Sequence, residues 1–184
     1  MELKGKQLIP LRQELVWNGL NDPEVLRASL PGCDSIEKTA EDSYRLVMVA
    51  AVGPVKARFS GSLALSDVRA PKSYTLTFEG SGGAVGFGKG SADVELSVVD
   101  GGTLLAYQAK VQVGGKLAQV GSRLISGVAE KMATEFFTRF QAHLMSAEFP
   151  PNALLPHLKE LVEISADESI KADGTSSWKF WVRT

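Results

Sequence analysis

Residues 115–144 constrain the fold of this chain more than any other segment. Apolar residues recur along the segment at steps of three or four, which places them on one face of an α-helix. They are Leu117, Val120, Leu124, Val128, Met132, Phe136, Phe140 and Leu144. Polar residues fall on the opposite face, where Glu135 and Arg139 form a supporting i,i+4 pair. The pattern predicts one amphipathic helix, about 45 Å long.

Upstream of this helix the hydrophobic period changes to two, which is typical of strands with one buried face. The predicted strands cover residues 1–9, 43–51, 55–66, 74–79, 93–98 and 105–113. Short turns join the later strands, so we predict an antiparallel meander. Two short helices are expected after the first strand, over residues 11–20 and from a cap at Asp22 and Pro23 to about Leu30.

These elements predict an α+β fold in which a curved antiparallel sheet wraps around a long C-terminal helix. We expect one domain over residues 1–147. Residues 148–184 are then a proline-containing extension, a polar linker and a short tail that is both aromatic and basic.

Composition excludes several classes of protein. The formal net charge of −1 over 184 residues gives no electrostatic case for nucleic-acid binding. Cys33 is the single cysteine, so neither an intrachain disulfide nor a cysteine-based metal cluster can form. The sequence lacks the apolar run of a signal peptide or of a transmembrane helix. We therefore expect a soluble cytoplasmic protein.

The glycine-rich residues 80–90 resemble a phosphate-binding loop only superficially. Gly90 stands where that motif needs a serine or threonine, and a strand is expected to follow instead of a helix. Glycines here are also compatible with a bulged strand or with close approach of backbones. A third interpretation is that the missing side chains leave room for a ligand, with Phe87 beside it.

No pattern of residues indicates catalysis. His143 and His157 are far apart in the chain and belong to no metal-binding motif, and Cys33 has no evident base near it. We expect Cys33 to be a small buried thiol. Gly121 and Gly127, inside the predicted helix, either pack closely on the sheet or open space for an apolar guest. The residues alone leave a filled core and a ligand cavity as alternatives.

Several separated motifs in the chain resemble the CoxG family of carbon monoxide dehydrogenase subunits. They are Gly-Pro-Val-Lys-Ala-Arg-Phe-Ser-Gly at residues 53–61, the glycine-rich residues 80–90, Gly-Gly-Lys-Leu-Ala-Gln-Val-Gly at residues 114–121, Leu-Pro-Gly-Cys at residues 30–33, and Gly102-Thr103. The resemblance covers about residues 1–144.

This resemblance implies a START-like helix-grip domain of the SRPBCC superfamily, with an apolar tunnel between helix and sheet. Members of the family are associated with aerobic carbon monoxide dehydrogenase, a molybdenum hydroxylase, or accompany other molybdenum hydroxylases. They are thought to tie the enzyme to the membrane and to serve electron transfer to quinone.

The leading hypothesis is a non-enzymatic carrier of an isoprenoid quinone or similar lipid. It would work beside a molybdenum hydroxylase at the inner face of the cell membrane, with no cofactor other than that ligand. The predicted lining residues are Phe59, Phe78, Phe87, Val111, Val113, Leu117, Val120, Gly121 and Leu124. The alternatives are a membrane-recruitment adaptor or maturation factor without a ligand, and a START-like enzyme such as a cyclase or hydrolase.

The last seven residues carry a separate prediction. Tryptophan prefers the headgroup level of a bilayer, and basic residues are attracted to anionic lipid. The predicted membrane contacts are Trp178, Lys179, Phe180, Trp181 and Arg183. The alternative is that these aromatic residues fold back over an apolar patch of the domain.

Overall fold

Seven antiparallel strands form one curved sheet. They are β1 (Glu2–Ile9), β2 (Cys33–Ala40), β3 (Ser43–Val52), β4 (Val55–Arg69), β5 (Ser73–Ser81), β6 (Phe87–Val99) and β7 (Gly102–Gly114), in the order β1-β7-β6-β5-β4-β3-β2. The structure is a computed structural model that describes residues 1–148. The extension, linker and tail are predicted for residues 148–184, and from residue 149 onward they lie outside the described residues.

The predicted period of two is confirmed in the burial of the strands. Along β4, Phe59 and Leu63 face inward and are half-buried, while Lys56, Arg58 and Ser62 are exposed on the outer face. The same alternation runs through β5, β6 and β7. The sheet therefore has one apolar inner face and one solvated outer face, as expected of an antiparallel sheet packed on one side.

Strand β2 is the element that the sequence prediction missed. Only Ile36 is buried among its eight residues, so the strand lacks the apolar alternation that would reveal it. It lies at one edge of the sheet and pairs only with β3, with two irregularities in register. An edge strand with so little buried surface needs few apolar residues, which explains why its pattern is weak.

The two short helices are α1 (Gln13–Leu20) and α2 (Pro23–Ser29). The predicted cap of α2 is confirmed, since the backbone N–H of Glu24 donates to Asp22 Oδ1 at 2.8 Å and Pro23 begins the helix. Helix α1 contacts β6 and β7, and α2 contacts β2. Together they cover one end of the inner face.

The prediction of a single helix over residues 115–144 is wrong at its start. The chain forms a short α3 (Lys116–Gln119) and a separate α4 (Ser122–Glu148). Gly121 has a φ of +92°, a conformation that cannot continue an α-helix. Gly121 and Gly127 are exposed, and an added Cβ on either would meet no atom within 4 Å. They neither pack against the sheet nor open space inside it.

The break also shifts the buried face at the start of α4. Ile125 is buried instead of Leu124, whose side chain is 42% exposed and lies over Gly53 in the β3–β4 turn. Further along, the predicted face is confirmed, because Phe140 is fully buried and Phe136 packs beside it. Rings of these two phenylalanines stack with centroids 5.5 Å apart.

Two separate clusters of apolar side chains hold the helices on the sheet. The α1-side cluster is Ile9, Leu11, Val16, Leu20, Val25, Tyr74, Val94, Leu96, Leu105 and Phe140. The hairpin-side cluster, near the β3–β4 turn, is Val52, Leu117 and Ile125, with Met1, Phe59, Val113, Val120 and Val128 packed against it. The two ends of the inner face are thus packed. Neither cluster fills the region between them.

Replacing Phe140 by alanine is expected to lower the free energy of unfolding by about 3–5 kcal/mol, because a fully buried aromatic side chain is lost and leaves a cavity. Urea denaturation measures this value. Met145→Ala on the same helix is the matched control. Its side chain is 44% exposed, so a change within about 0.5 kcal/mol is expected. Equal losses in the two variants would contradict this account of the core.

Candidate functional site

A cavity of about 540 Å³ lies between α4 and the inner face of the sheet. Small-molecule sites in proteins typically have volumes of roughly 300–1,000 Å³ and mainly apolar walls. The wall reaches from Leu20 and Leu105 of the α1-side cluster to Val52 and Leu117 of the hairpin-side cluster. The inner face is therefore packed at its two ends and open between them.

The β-strands supply most of the cavity wall through their inward alternation. Strand β3 contributes every second residue, from Tyr44 to Val52. Strands β4 and β5 add Leu63, Leu65, Leu76 and Phe78, and α4 closes the other side with Met132, Ala133, Phe136 and Phe137.

Three glycines form a row across the inner face, close to the β5–β6 turn. Gly61 pairs with Gly80, and Gly80 pairs with Gly88, so that β4, β5 and β6 all lack a side chain at this level. A Cβ added to Gly80 would meet its nearest atom, the Ser60 carbonyl oxygen, at 3.7 Å, and one added to Gly88 would meet nothing closer than 3.9 Å. These two glycines leave open space in the cavity.

The glycine-rich residues 80–90 thus combine two of the predicted roles. Gly83 and Gly86 have positive φ and form the turn around a short 3-10 helix, Gly83–Val85. Strand β6 follows directly, as expected, and no helix N-terminus is present there to hold a phosphate. Gly80 and Gly88, on either side of the turn, provide room beside the cavity.

Three of the predicted lining residues, Phe59, Phe78 and Leu117, lie in the cavity wall. Val113 and Val120 belong to the hairpin-side cluster instead. Val111 lies in β7 opposite Gly90 of β6, and its backbone N–H donates to the Met1 carbonyl oxygen at 2.9 Å.

The other three predicted lining residues require correction. Phe87 points to the outer face, where it is 47% exposed and lies over Gly114, because the turn ending at Gly86 places Gly88 on the inner face. Gly121 is exposed at the helix break, and Leu124 covers the β3–β4 turn. The assumption of one unbroken helix put these last two residues on the wrong side.

Sequence reasoning missed the three tyrosines of the cavity wall. Tyr44, Tyr74 and Tyr107 occupy inward positions of β3, β5 and β7, where the alternation counted them simply as apolar. The Tyr44 hydroxyl donates to the Asn21 carbonyl oxygen at 3.1 Å. Within residues 1–148, the hydroxyls of Tyr74 and Tyr107 have no hydrogen-bond partner.

Tyr44 and Tyr74 remain protonated donors at neutral pH. Burial raises the pKa of Tyr74 well above its ordinary value, and the neighbouring Tyr44 adds to the effect. Burial also raises the pKa of Tyr44, with smaller contributions from Asp42 and Asp22. Each of these two side chains can therefore offer a hydroxyl proton to an acceptor but carries no charge.

Among residues 1–148, the other reactive groups do not form a second site. Cys33 is half-buried, and burial raises the pKa of its thiol, which disfavours the nucleophilic thiolate. In residues 1–148, histidine, cysteine and carboxylate side chains nowhere form a group of three that could bind a metal ion. No helix in this part of the chain combines the length and apolarity needed to cross a membrane.

A curved antiparallel sheet that grips a long C-terminal helix defines a START-like helix-grip domain, as predicted. The model of the carbon monoxide dehydrogenase CoxG family matches residues 5–145, so the chain belongs to that family. Fold and family together support a role in binding a hydrophobic ligand.

Solved structures with the same fold include proteins from several bacteria. A conserved protein from Geobacillus kaustophilus is 30% identical, with a TM-score of 0.75 and coverage of 80% of this chain and 97% of that one. A protein from Thermus thermophilus is 17% identical, with a TM-score of 0.61 and coverage of 80% and 99%. The Zhui aromatase/cyclase from a Streptomyces species is 10% identical, with a TM-score of 0.59 and coverage of 82% and 97%. The chain has no significant match among curated proteins.

Filling the glycine row tests whether the cavity takes up apolar molecules. Gly88→Leu is expected to weaken binding of the fluorescent probe 1-anilinonaphthalene-8-sulfonate at least tenfold, because the new side chain projects into open space. The unfolding temperature should not fall, since a Cβ at Gly88 clashes with nothing and its φ is not positive.

The matched control is Ser97→Leu, which adds the same side chain to the exposed outer face of β6. Probe binding should stay at the wild-type level in this variant. A Gly88→Leu protein that binds the probe normally would show that the probe site lies elsewhere. A marked loss of stability would show that the region is already filled.

Proposed function

We propose that this protein is a non-enzymatic carrier that binds an isoprenoid quinone or a similar lipid between α4 and the sheet. The observation that carries the proposal is the apolar cavity of about 540 Å³, left open between two packed clusters. A filled core would stabilise the domain more, because buried apolar contacts are lost around empty space. Retaining the space makes sense when a guest molecule fills it.

The family supports the choice of partner. Because the chain belongs to the CoxG family, we propose that it serves a molybdenum hydroxylase such as carbon monoxide dehydrogenase. Its role would be to pass the lipid between the membrane and that enzyme. The titratable side chains facing the cavity are tyrosines, while the Glu79 side chain is exposed on the outer face beside Ser62. This lining favours binding over acid–base catalysis.

Three cations near the β3–β4 turn support contact with the inner face of the cell membrane. Residues 43–66, 80–92 and 101–129 contain seven cations and no carboxylate. Four of these cations lie beside carboxylates of neighbouring strands: Arg45 opposite Glu37, Arg58 beside Asp34, Lys89 opposite Glu79 and Lys110 opposite Glu2. Lys56 follows the β3–β4 turn, and Lys116 and Arg123 lie in α3 and α4 beside it, so these three form what we call the basic rim of the hairpin-side cluster.

The basic rim also carries an exposed apolar side chain, Leu124. Each basic residue near an anionic bilayer contributes roughly 1 kcal/mol to binding. Docking by this rim would bring the hairpin-side end of the cavity to the lipid surface. The tail residues Trp178 and Trp181 remain a predicted second contact, outside the described residues. The alternative function, a membrane-recruitment adaptor, would use the same two membrane contacts. It differs from the carrier only because no ligand would occupy its cavity.

Lipid extraction tests the carrier directly. Protein purified without detergent is expected to release an isoprenoid quinone or another lipid, identified by mass spectrometry, at near one molecule per chain. The Gly88→Leu variant serves as the control and should release much less. A wild-type protein that is reproducibly empty, and that also fails to take up added quinone, would favour the adaptor instead.

Liposome flotation tests the membrane contacts. The double substitution Lys116→Glu/Arg123→Glu is expected to reduce binding to anionic vesicles at least tenfold, because it replaces two attractive charges by repulsive ones. A truncation after Gly174 should reduce binding separately. The control is Arg69→Glu/Lys72→Glu, which makes the same charge change near the exposed β4–β5 turn. Equal losses of vesicle binding in both double variants would show that binding depends on the net charge of the protein and not on the position of the basic rim.

A further inference from the structure

Two tyrosine hydroxyls in the cavity wall lack hydrogen-bond partners in the described structure. Tyr74 is 7% exposed, lines the cavity, and is packed edge-on against Trp17 with ring centroids 5.6 Å apart. Tyr107 also lines the cavity, and its ring lies across Gly5 of β1 and near Phe137, at 5.9 Å between centroids. In residues 1–148, no side-chain polar atom is fully enclosed without a partner, so both hydroxyls border open space. The rings are held by packing, and the hydroxyls are left for a ligand or water.

Strand register places these tyrosines on one row of the inner face. Tyr74 pairs with Val94, and Val94 pairs with Tyr107, so the two lie on either side of β6. Neighbouring strands are spaced about 4.8 Å apart, which puts the two Cα atoms roughly 10 Å apart. Both residues belong to or pack against the α1-side cluster. They therefore mark the end of the cavity opposite the basic rim.

The chemistry of an unpaired hydroxyl in an apolar cavity favours a ligand that supplies the partner. A hydroxyl that gives up water and gains no hydrogen bond is destabilising, whereas a phenylalanine of nearly the same shape carries no such penalty. Strand β5 already uses phenylalanine for cavity lining at Phe78, two inward positions from Tyr74. Packing alone therefore does not require a tyrosine at position 74, and its hydroxyl can donate to an acceptor atom that enters the cavity.

We propose that Tyr74 forms a hydrogen-bonding subsite for a carbonyl oxygen of the ligand. Tyr107 is a separate donor to the same ligand, because its hydroxyl lies over Gly5 of β1, on the side of β7 away from Tyr74. The ligand's polar group then lies at the α1-side end of the cavity, and its apolar part extends past the glycine row toward the β3–β4 turn. This inference rests on the proposed function, because it assigns the polar end of the same ligand. Quinones and lipid esters share the required carbonyl chemistry, and a pure hydrocarbon lacks it.

Matched ring compounds test the subsite in the full-length protein. The probes are 2-methyl-1,4-naphthoquinone, methyl 2-naphthoate and 2-methylnaphthalene, with affinities measured by equilibrium dialysis. Wild-type protein is expected to bind at least one carbonyl probe tenfold or more tightly than the hydrocarbon. A preference for the naphthoquinone assigns the subsite to quinones, and a preference for the naphthoate assigns it to esters.

The substitutions Tyr74→Phe and Tyr107→Phe separate the hydroxyls from the rings. In the double variant the preference for a carbonyl probe should vanish, while affinity for 2-methylnaphthalene stays unchanged. The unfolding temperature without ligand should not fall, because neither hydroxyl has a protein hydrogen bond to lose. A merely structural role for these hydroxyls would instead lower that temperature.

Tyr44→Phe is the matched control, since the Tyr44 hydroxyl already donates to the Asn21 carbonyl oxygen. This variant should lose stability and retain the carbonyl preference. A double variant that keeps the preference, or a wild-type protein that binds all three probes equally, would overturn the subsite and leave the carrier intact. A wild-type protein that binds none of the probes would overturn the carrier and the subsite together.

Discussion

The packing of α4 against two separate clusters is the interaction on which the rest of the structure depends. Phe140 anchors the helix at the α1 side, and Ile125 anchors it near the β3–β4 turn. Because the helix is fixed at both places, the sheet between them does not need to be filled for the domain to hold together. Met132 and Ala133, which lie between these two places, then face a cavity.

Chemical differences between the two ends give the cavity a direction. The α1-side end has the tyrosine hydroxyls of Tyr74 and Tyr107, and the other end lies beside the cations Lys56, Lys116 and Arg123. Under the proposed function, an amphiphilic lipid would enter or leave where the protein meets the membrane surface. Its polar group would be held at the far end, where buried hydrogen bonds are strongest because water is excluded.

Local sequence signals predicted the elements whose pattern is strong and missed those whose form depends on neighbours. The cap at Asp22 and the alternation of β4 were predicted correctly, since both follow from short-range geometry. Strand β2 has one buried residue and forms only because β3 offers it an edge. The helix break at Gly121 was also missed. A glycine within an apolar repeat is compatible with a continuous helix, and only its positive φ in the folded chain separates α3 from α4.

The sequence by itself determined the α+β class, the amphipathic face from Val128 onward and, through its motifs, the family. Only the tertiary structure decided which inward positions meet. Strand register aligns three glycines in one row, Gly61, Gly80 and Gly88. It also places Tyr74 and Tyr107 on either side of Val94. Periodicity assigns a residue to a face of its own strand, but the volume left between a sheet and a helix is set by side chains distant in the chain.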